Sequence, residues 1–217
     1  MNLLASPFAA RIAATSLCVL AAGTTAPRAA AAPEAPAPQV FATFDSGNDA
    51  TAQGGAIAAF AYSEKPGDAT LGKLSVANGV ARVTGTVGAR SGSTWGGIGL
   101  TAGSGPAGKT SDISTQGSLH LQLASATATQ LRVRVMGNDK ATRDNGCYPV
   151  VVQKVTPELR EYDIPLAYFA PESYCAAQGR SIAQTAPAVA AIEVTDPAIS
   201  AAARPVDFQV GRIDLRP

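Results

Sequence analysis

The chain has 217 residues, with 17 basic and 16 acidic side chains and a net charge of +1. That balance offers no basic surplus for phosphate, which argues against nucleic acid as a partner, and no segment is both basic and amphipathic like a membrane-surface helix. With 46% hydrophobic and only 15% charged residues, there is apolar material for one substantial core.

Residues 1–31 carry Arg11 and Arg28 as their only charges. Between them, residues 12–23 form a compact apolar run, and small residues (Ala29, Ala30, Ala31, Ala32) precede Pro33. A basic start, a short apolar stretch and small residues at −3 and −1 are what signal peptidase reads. The run is well short of the roughly 20 apolar residues that cross a bilayer. The expectation is a cleaved export signal over 1–31, cut near Ala31 or Ala32, with no stable membrane insertion afterwards and a secreted or periplasmic destination. Leu17 stands where a lipobox needs a small residue, so Cys18 is not read as a lipid anchor. Cleavage removes Arg11, Arg28 and Cys18, leaving 15 basic against 16 acidic residues, a charge of −1. Cys147 and Cys175 remain, an even pair suited to a disulfide in an oxidising compartment. Their bridge closes a loop of about 29 residues, worth roughly 3 kcal/mol on chain-entropy grounds.

Residues 32–38 read as a Pro/Ala linker, followed by one domain over 39–217. Low charge and short apolar runs cut by turns indicate strands. In order they are expected at 40–44, 56–62, 74–77, 80–87, 94–100, 118–123, 130–136, 148–155, 160–165, 189–194 and 206–215. Asn78-Gly79 between the third and fourth is a strong hairpin signal. No stretch after the signal has sustained helical periodicity; residues 198–203 have room for one turn between Pro197 and Pro205. About ten short strands on one core imply an all-β fold of two packed antiparallel sheets, a sandwich or jelly roll.

Alternation sorts each strand into two faces. Leu119, Leu121 and Leu123 point to the core, leaving His120 and Gln122 outward. Leu131, Val133 and Val135 do the same, leaving Arg132 and Arg134 outward. If these two strands are neighbours, the four polar residues form one patch. Trp95 shares a face with Gly97 and Gly99 and is expected over the same sheet, with Tyr148 joining from another strand. Donors and acceptors beside an aromatic ring suit a sugar, and guanidinium groups also suit an acidic glycan; a solvated sheet face has the same polar composition. The single histidine lies in mid-strand without a GxSxG elbow and lacks companions for zinc. None of Asp45, Asp163, Asp196, Asp207 or Asp214 is placed by sequence as a hydrolytic carboxylate pair. No enzyme is expected.

The motifs have a familiar order. Phe41-Ala-Thr-Phe-Asp45 opens the domain, followed by Gly54-Gly55, Ala81-Arg-Val-Thr-Gly85 and Trp95-Gly-Gly-Ile-Gly-Leu100. Next come Ser111-Asp-Ile-Ser114, Gly117-Ser-Leu-His-Leu-Gln-Leu123, Thr156-Pro-Glu-Leu-Arg-Glu-Tyr-Asp-Ile-Pro-Leu166 with Phe169, and Val206-Asp-Phe-Gln-Val-Gly-Arg-Ile-Asp-Leu215. This order resembles the galactose-binding-like jelly rolls, particularly family 11 carbohydrate-binding modules and the related complex I intermediate-associated protein 30 family. It departs at Leu159, where such modules often place a tryptophan, and at Gly211, where they often place an acidic residue. The resemblance implies glycan binding on a concave sheet face, here offered to Trp95, His120, Gln122, Arg132, Arg134 and Tyr148. No cofactor is required. The resemblance also implies a structural Ca2+ near the chain ends, with Asp45 and Asp214 as ligands and Asn48 and Asp49 as nearby oxygen donors. The expected function is a secreted, non-catalytic carbohydrate-binding protein whose partner is a polysaccharide or glycan. The alternatives are an envelope structural or protein-interaction domain on the same fold, and a polysaccharide hydrolase or lyase.

Overall fold

A computed structural model of the chain describes residues 36–45, 47, 50–72, 74–88, 94–102, 109–198 and 202–217, with Trp95, Ala141 and Ala198 described by backbone alone. Contacts divide the chain into Met1–Glu34 and Ala35–Pro217. The expected export signal lies outside the described residues, as do Asn48 and Asp49.

The strands are β1 (Gln39–Ala42), β2 (Ile57–Ser63), β3 (Ala69–Leu71), β4 (Ser75–Ala77), β5 (Val80–Val87), β6 (Thr94–Thr101), β7 (Ser118–Ser125), β8 (Gln130–Gly137), β9 (Pro149–Lys154), β10 (Arg160–Pro165), β11 (Ala170–Pro171), β12 (Val189–Ala198) and β13 (Arg204–Arg216). One sheet runs β10-β7-β13-β5-β3, with β1 also on β13 and β4 on β5, making seven strands. The other has six, in the order β11-β9-β8-β12-β6-β2. Every named pairing is antiparallel. Val83, Leu119, Leu121 and Phe208 from the first sheet and Ile98, Leu131, Val133 and Ile192 from the second are fully buried in one core. Burying each such side chain contributes about 1.5–3 kcal/mol. This is the all-β two-sheet sandwich that the alternation demands.

Local chemistry explains the details. Asn78 and Gly79 both have positive φ, +53° and +76°, the two-residue turn whose twist matches its strands. In β13 the register slips between Val210 and Ile213. This bulge lets Phe208 and Val210, then Ile213 and Leu215, all face inward, with Arg212, Asp214 and Arg216 outward. The predicted strand 40–44 ends early, at Ala42, and Phe44 turns into the core at φ +62°.

Two short helices were not anticipated, α1 (Lys140–Asn145) and α2 (Ile182–Thr185). Neither is long enough to show periodicity, and each is held by its ends. The Asp139 side chain accepts from the Thr142 amide and Gly146 closes α1 at φ +65°. Ser181 and Gln184 form a capping box on α2. The Cys147–Cys175 disulfide is formed, with Cα atoms 5.5 Å apart and both residues buried. Among the described residues no helix is long and apolar enough to cross a membrane.

Candidate functional site

The single polar patch expected from His120, Gln122, Arg132 and Arg134 does not form. β7 lies between β10 and β13, whereas β8 lies between β9 and β12 in the other sheet. The chain changes sheet between these sequential strands. Their inward residues therefore meet in the core, and their outward residues leave on opposite sides of the sandwich.

Arg132 and Arg134 belong to the outward face of the six-stranded sheet. Register places Phe60, Gly97, Thr195, Arg132 and Val152 in one row across β2, β6, β12, β8 and β9. A second row holds Ala58, Gly99, Glu193, Arg134 and Val150. Four inter-strand steps make each row about 19 Å long. A Cβ on Gly97 would lie 2.6 Å from Phe60 Cζ and 2.8 Å from Thr195 Cγ2. The missing side chain is the space that the Phe60 ring occupies. Tyr62 is 43% exposed and pairs in register with Trp95, whose side chain lies outside the described residues.

The arginines are not solvated. Arg132 and Arg134 are only 8% and 7% exposed. Arg132 donates from Nη1 to Glu172 Oε1 at 3.0 Å and from Nε to Thr195 Oγ1 at 3.2 Å. Arg134 Nη1 donates to Glu193 Oε2 at 3.4 Å. Burial pulls the Arg132 pKa down, helped by the charge of Arg134 and opposed by Glu172. Burial likewise pushes Glu193 up, against the pull of Arg134 and Arg132. Two like charges and two counter-charges thus meet on a sheet face that buries both arginines. Tyr148 is not a ligand-facing ring: at 5% exposure it is buried beside this group, and burial, then the charge of Glu193, raises its pKa. It immediately precedes β9. By contrast, Tyr174 is 67% exposed, and partial burial, then interaction with Glu172, raises its pKa.

His120 and Gln122 sit on the seven-stranded sheet. His120 is 7% exposed and lies in register between Asp163 and Asp214. Its Nε2 is 3.6 Å from Glu161 Oε2, and its Nδ1 has no hydrogen-bond partner. Gln122 Nε2 donates to Glu161 Oε1 at 3.3 Å. Asp214 accepts from Arg212 Nε at 2.7 Å and lies 4.0 Å from Arg216 Nη2. Its hydrogen bond and charge raise the Arg212 pKa, and Asp45 adds to the effect. The Asp214 carboxylate is thus engaged by the Arg212 guanidinium. Among the described residues no group of three or more His, Cys, Asp or Glu side chains is arranged to hold a metal ion.

Sequence reasoning missed Phe60, Tyr62, Glu172, Tyr174, Glu193 and Thr195. Alternation places Glu193 and Thr195 on one face of β12, but only the β8–β12 pairing reveals that this face carries the arginines. Nothing in the local sequence signals that Glu172 and Tyr174 return to them.

No family model and no curated protein matches the sequence. Solved structures do. A family 11 carbohydrate-binding module from Clostridium thermocellum, in complex with a β-1,3-1,4-mixed-linked tetrasaccharide, is similar over 82% of this chain and 95% of its own, at 13% identity and TM-score 0.55. A family 30 carbohydrate-binding module of a cellulosomal cellulase from the same organism is similar over 83% and 97%, at 16% identity and TM-score 0.49. At these identities the likeness is one of fold: the chain adopts the jelly-roll sandwich of carbohydrate-binding modules.

Proposed function

We propose that this chain is a secreted, non-catalytic carbohydrate-binding protein that engages a glycan on the outward face of its six-stranded sheet. One observation carries the reading: that face holds two arginine–glutamate pairs whose arginines are buried, flanked by the partly open rings of Tyr62 and Tyr174. A sugar needs this combination, with fixed donors and acceptors for its hydroxyls and aromatic surface for its C–H faces. The row length of about 19 Å suits an oligosaccharide chain more than a single ring. A structural neighbour on the same fold binds a tetrasaccharide, and the disulfide suits an oxidising, extracellular setting. His120 and its carboxylates lie on the other sheet, so they do not converge with the arginines on one bound sugar, in keeping with a binding role.

The test is calorimetric titration of the folded protein with a panel of neutral and acidic polysaccharides, β-1,3-1,4-linked glucan among them. Tyr62→Ala is expected to weaken binding about tenfold, the scale of one lost aromatic contact. A folded wild type that binds nothing in the panel sinks the proposal. The burial of Tyr148, Arg132 and Arg134 favours one second reading, a protein-interaction domain using the exposed Val152, Leu159 and Tyr168. Capture of a defined envelope protein without competition by sugar would support it.

A further inference from the structure

We infer that residues 172–180 form a strap fixed beside the arginine row, and that the Cys147–Cys175 disulfide is a positioning pair that holds Tyr174 against the bound glycan. This rests on the reading of the six-stranded face as the glycan site. Three tethers act within nine residues. Glu172 meets Arg132 at 3.0 Å at one end, Arg180 Nη2 meets Asp139 Oδ2 at 3.3 Å at the other, and Cys175 is bonded to Cys147 between them. Cys147 follows the Gly146 cap of α1 and stands two residues before the first residue of β9, so the bridge ties the strap to the strand beside β8.

The backbone records the constraint. Ala176, next to Cys175, has φ +45° and ψ −127°, a conformation that favours glycine. Such strain persists only where the surroundings over-determine it, and it clusters at ligand clamps. Here the neighbouring covalent bond supplies the over-determination. The strap presents Tyr174 to solvent two residues from Glu172, which is itself held by Arg132. An aromatic side chain on a free loop must be ordered when ligand binds; on a pinned strap that ordering cost is already met. The disulfide is buried, with Cys147 and Cys175 at 2% and 3% exposure, so it serves as a standing brace.

The experiment compares full-length wild type, Cys147→Ser/Cys175→Ser and Tyr174→Ala. Three quantities are read: affinity for β-1,3-1,4-linked glucan and the rest of the panel, native-state chymotrypsin cleavage after Tyr174 by mass spectrometry, and the melting transition. The serine variant is expected to stay folded, to be cleaved after Tyr174 at least about tenfold faster, and to bind about tenfold more weakly, close to Tyr174→Ala. A folded serine variant with unchanged cleavage overturns the inference, as does faster cleavage with unchanged affinity. Should the serine variant not fold, Tyr174→Ala decides with the disulfide intact, and unchanged affinity overturns it. If wild type binds no glycan, the function proposed above fails on its own account. The strap is then judged by cleavage alone, which supports the pin if raised and overturns it if unchanged.

Discussion

Replacing Arg134 by Met tests whether the outward face of the six-stranded sheet is as dry as its geometry indicates. The Arg134 and Glu193 side chains are 9% and 15% exposed and 3.4 Å apart. At an effective dielectric of 20, their attraction is about 5 kcal/mol before desolvation is subtracted. Methionine keeps most of the aliphatic stem and removes the charge, leaving Glu193 buried without its nearest counter-ion. Glu193 can escape by taking up a proton, which caps the loss. From the ordinary glutamate value of 4.5, protonation at pH 7 costs about 3.4 kcal/mol, and at pH 5 about 0.7 kcal/mol. Because burial already holds Glu193 above that ordinary value, and Arg132 stays in place, the expected loss is about 2 kcal/mol at pH 7 and under about 1 kcal/mol at pH 5. Urea unfolding followed by circular dichroism at both pH values measures it. Adding Glu193→Gln to the variant is expected to recover most of the loss at pH 7. A loss that is equal at the two pH values, or below about 0.5 kcal/mol at pH 7, refutes the reasoning, since it would place the pair in a solvated surface setting.

Three further outcomes are expected. Glu193 has a folded pKa raised by burial, so its contribution to stability is complete below about pH 4.5 and is lost as pH rises through the raised value. Glu193→Gln should therefore gain on wild type as melts are taken from pH 4 to pH 7, and a gain by wild type would contradict the burial. Gly97→Ala puts a methyl 2.6 Å from Phe60 Cζ. It should cost about 1–2 kcal/mol by overpacking, and Phe60→Ala in the same chain should relieve part of that loss in a urea titration. Gly79→Ala, at φ +76°, should cost about 1 kcal/mol from the left-handed backbone alone, read as a shift in urea midpoint at unchanged slope.

The sheets were legible because burial on one face writes a period of two into the chain. Leu119, Leu121 and Leu123, and Leu131, Val133 and Val135, announce their strands and their inward sides, and Asn78-Gly79 announces its hairpin. Which sheet a strand joins is not written locally. β7 and β8 have the same alternation, and only long-range pairing places His120 and Arg132 on opposite sides of the sandwich. Exposure was equally hidden. Alternation gave the arginines their outward direction, but the groups that engage them come from Glu193 and Thr195 on β12 and Glu172 beyond β11, far from β8 in sequence. The short elements escaped for a simpler reason. β11 has two residues and α2 has four, too few for any period, so their stability comes from the partners they pack against.

A two-sheet sandwich needs only its inward faces to be dry. On the seven-stranded sheet the outward pair Arg82–Asp207 follows that rule, at 50% and 22% side-chain exposure, and such solvated pairs add little. Arg132–Glu172 and Arg134–Glu193 break it, with both guanidinium groups near 10%. Stability is a poor reason to keep them, because buried ion pairs replaced by apolar side chains of similar volume often leave a fold equally or more stable. What a buried pair supplies is fixed position, and fixed polar groups are what a binding face requires. The two roles separate in one variant. Arg134→Met/Glu193→Leu should unfold in urea at the wild-type midpoint or above it, yet lose affinity for the glycan that wild type selects. A variant that is clearly less stable, or one that binds as wild type does, would return these residues to the structural framework of the sheet.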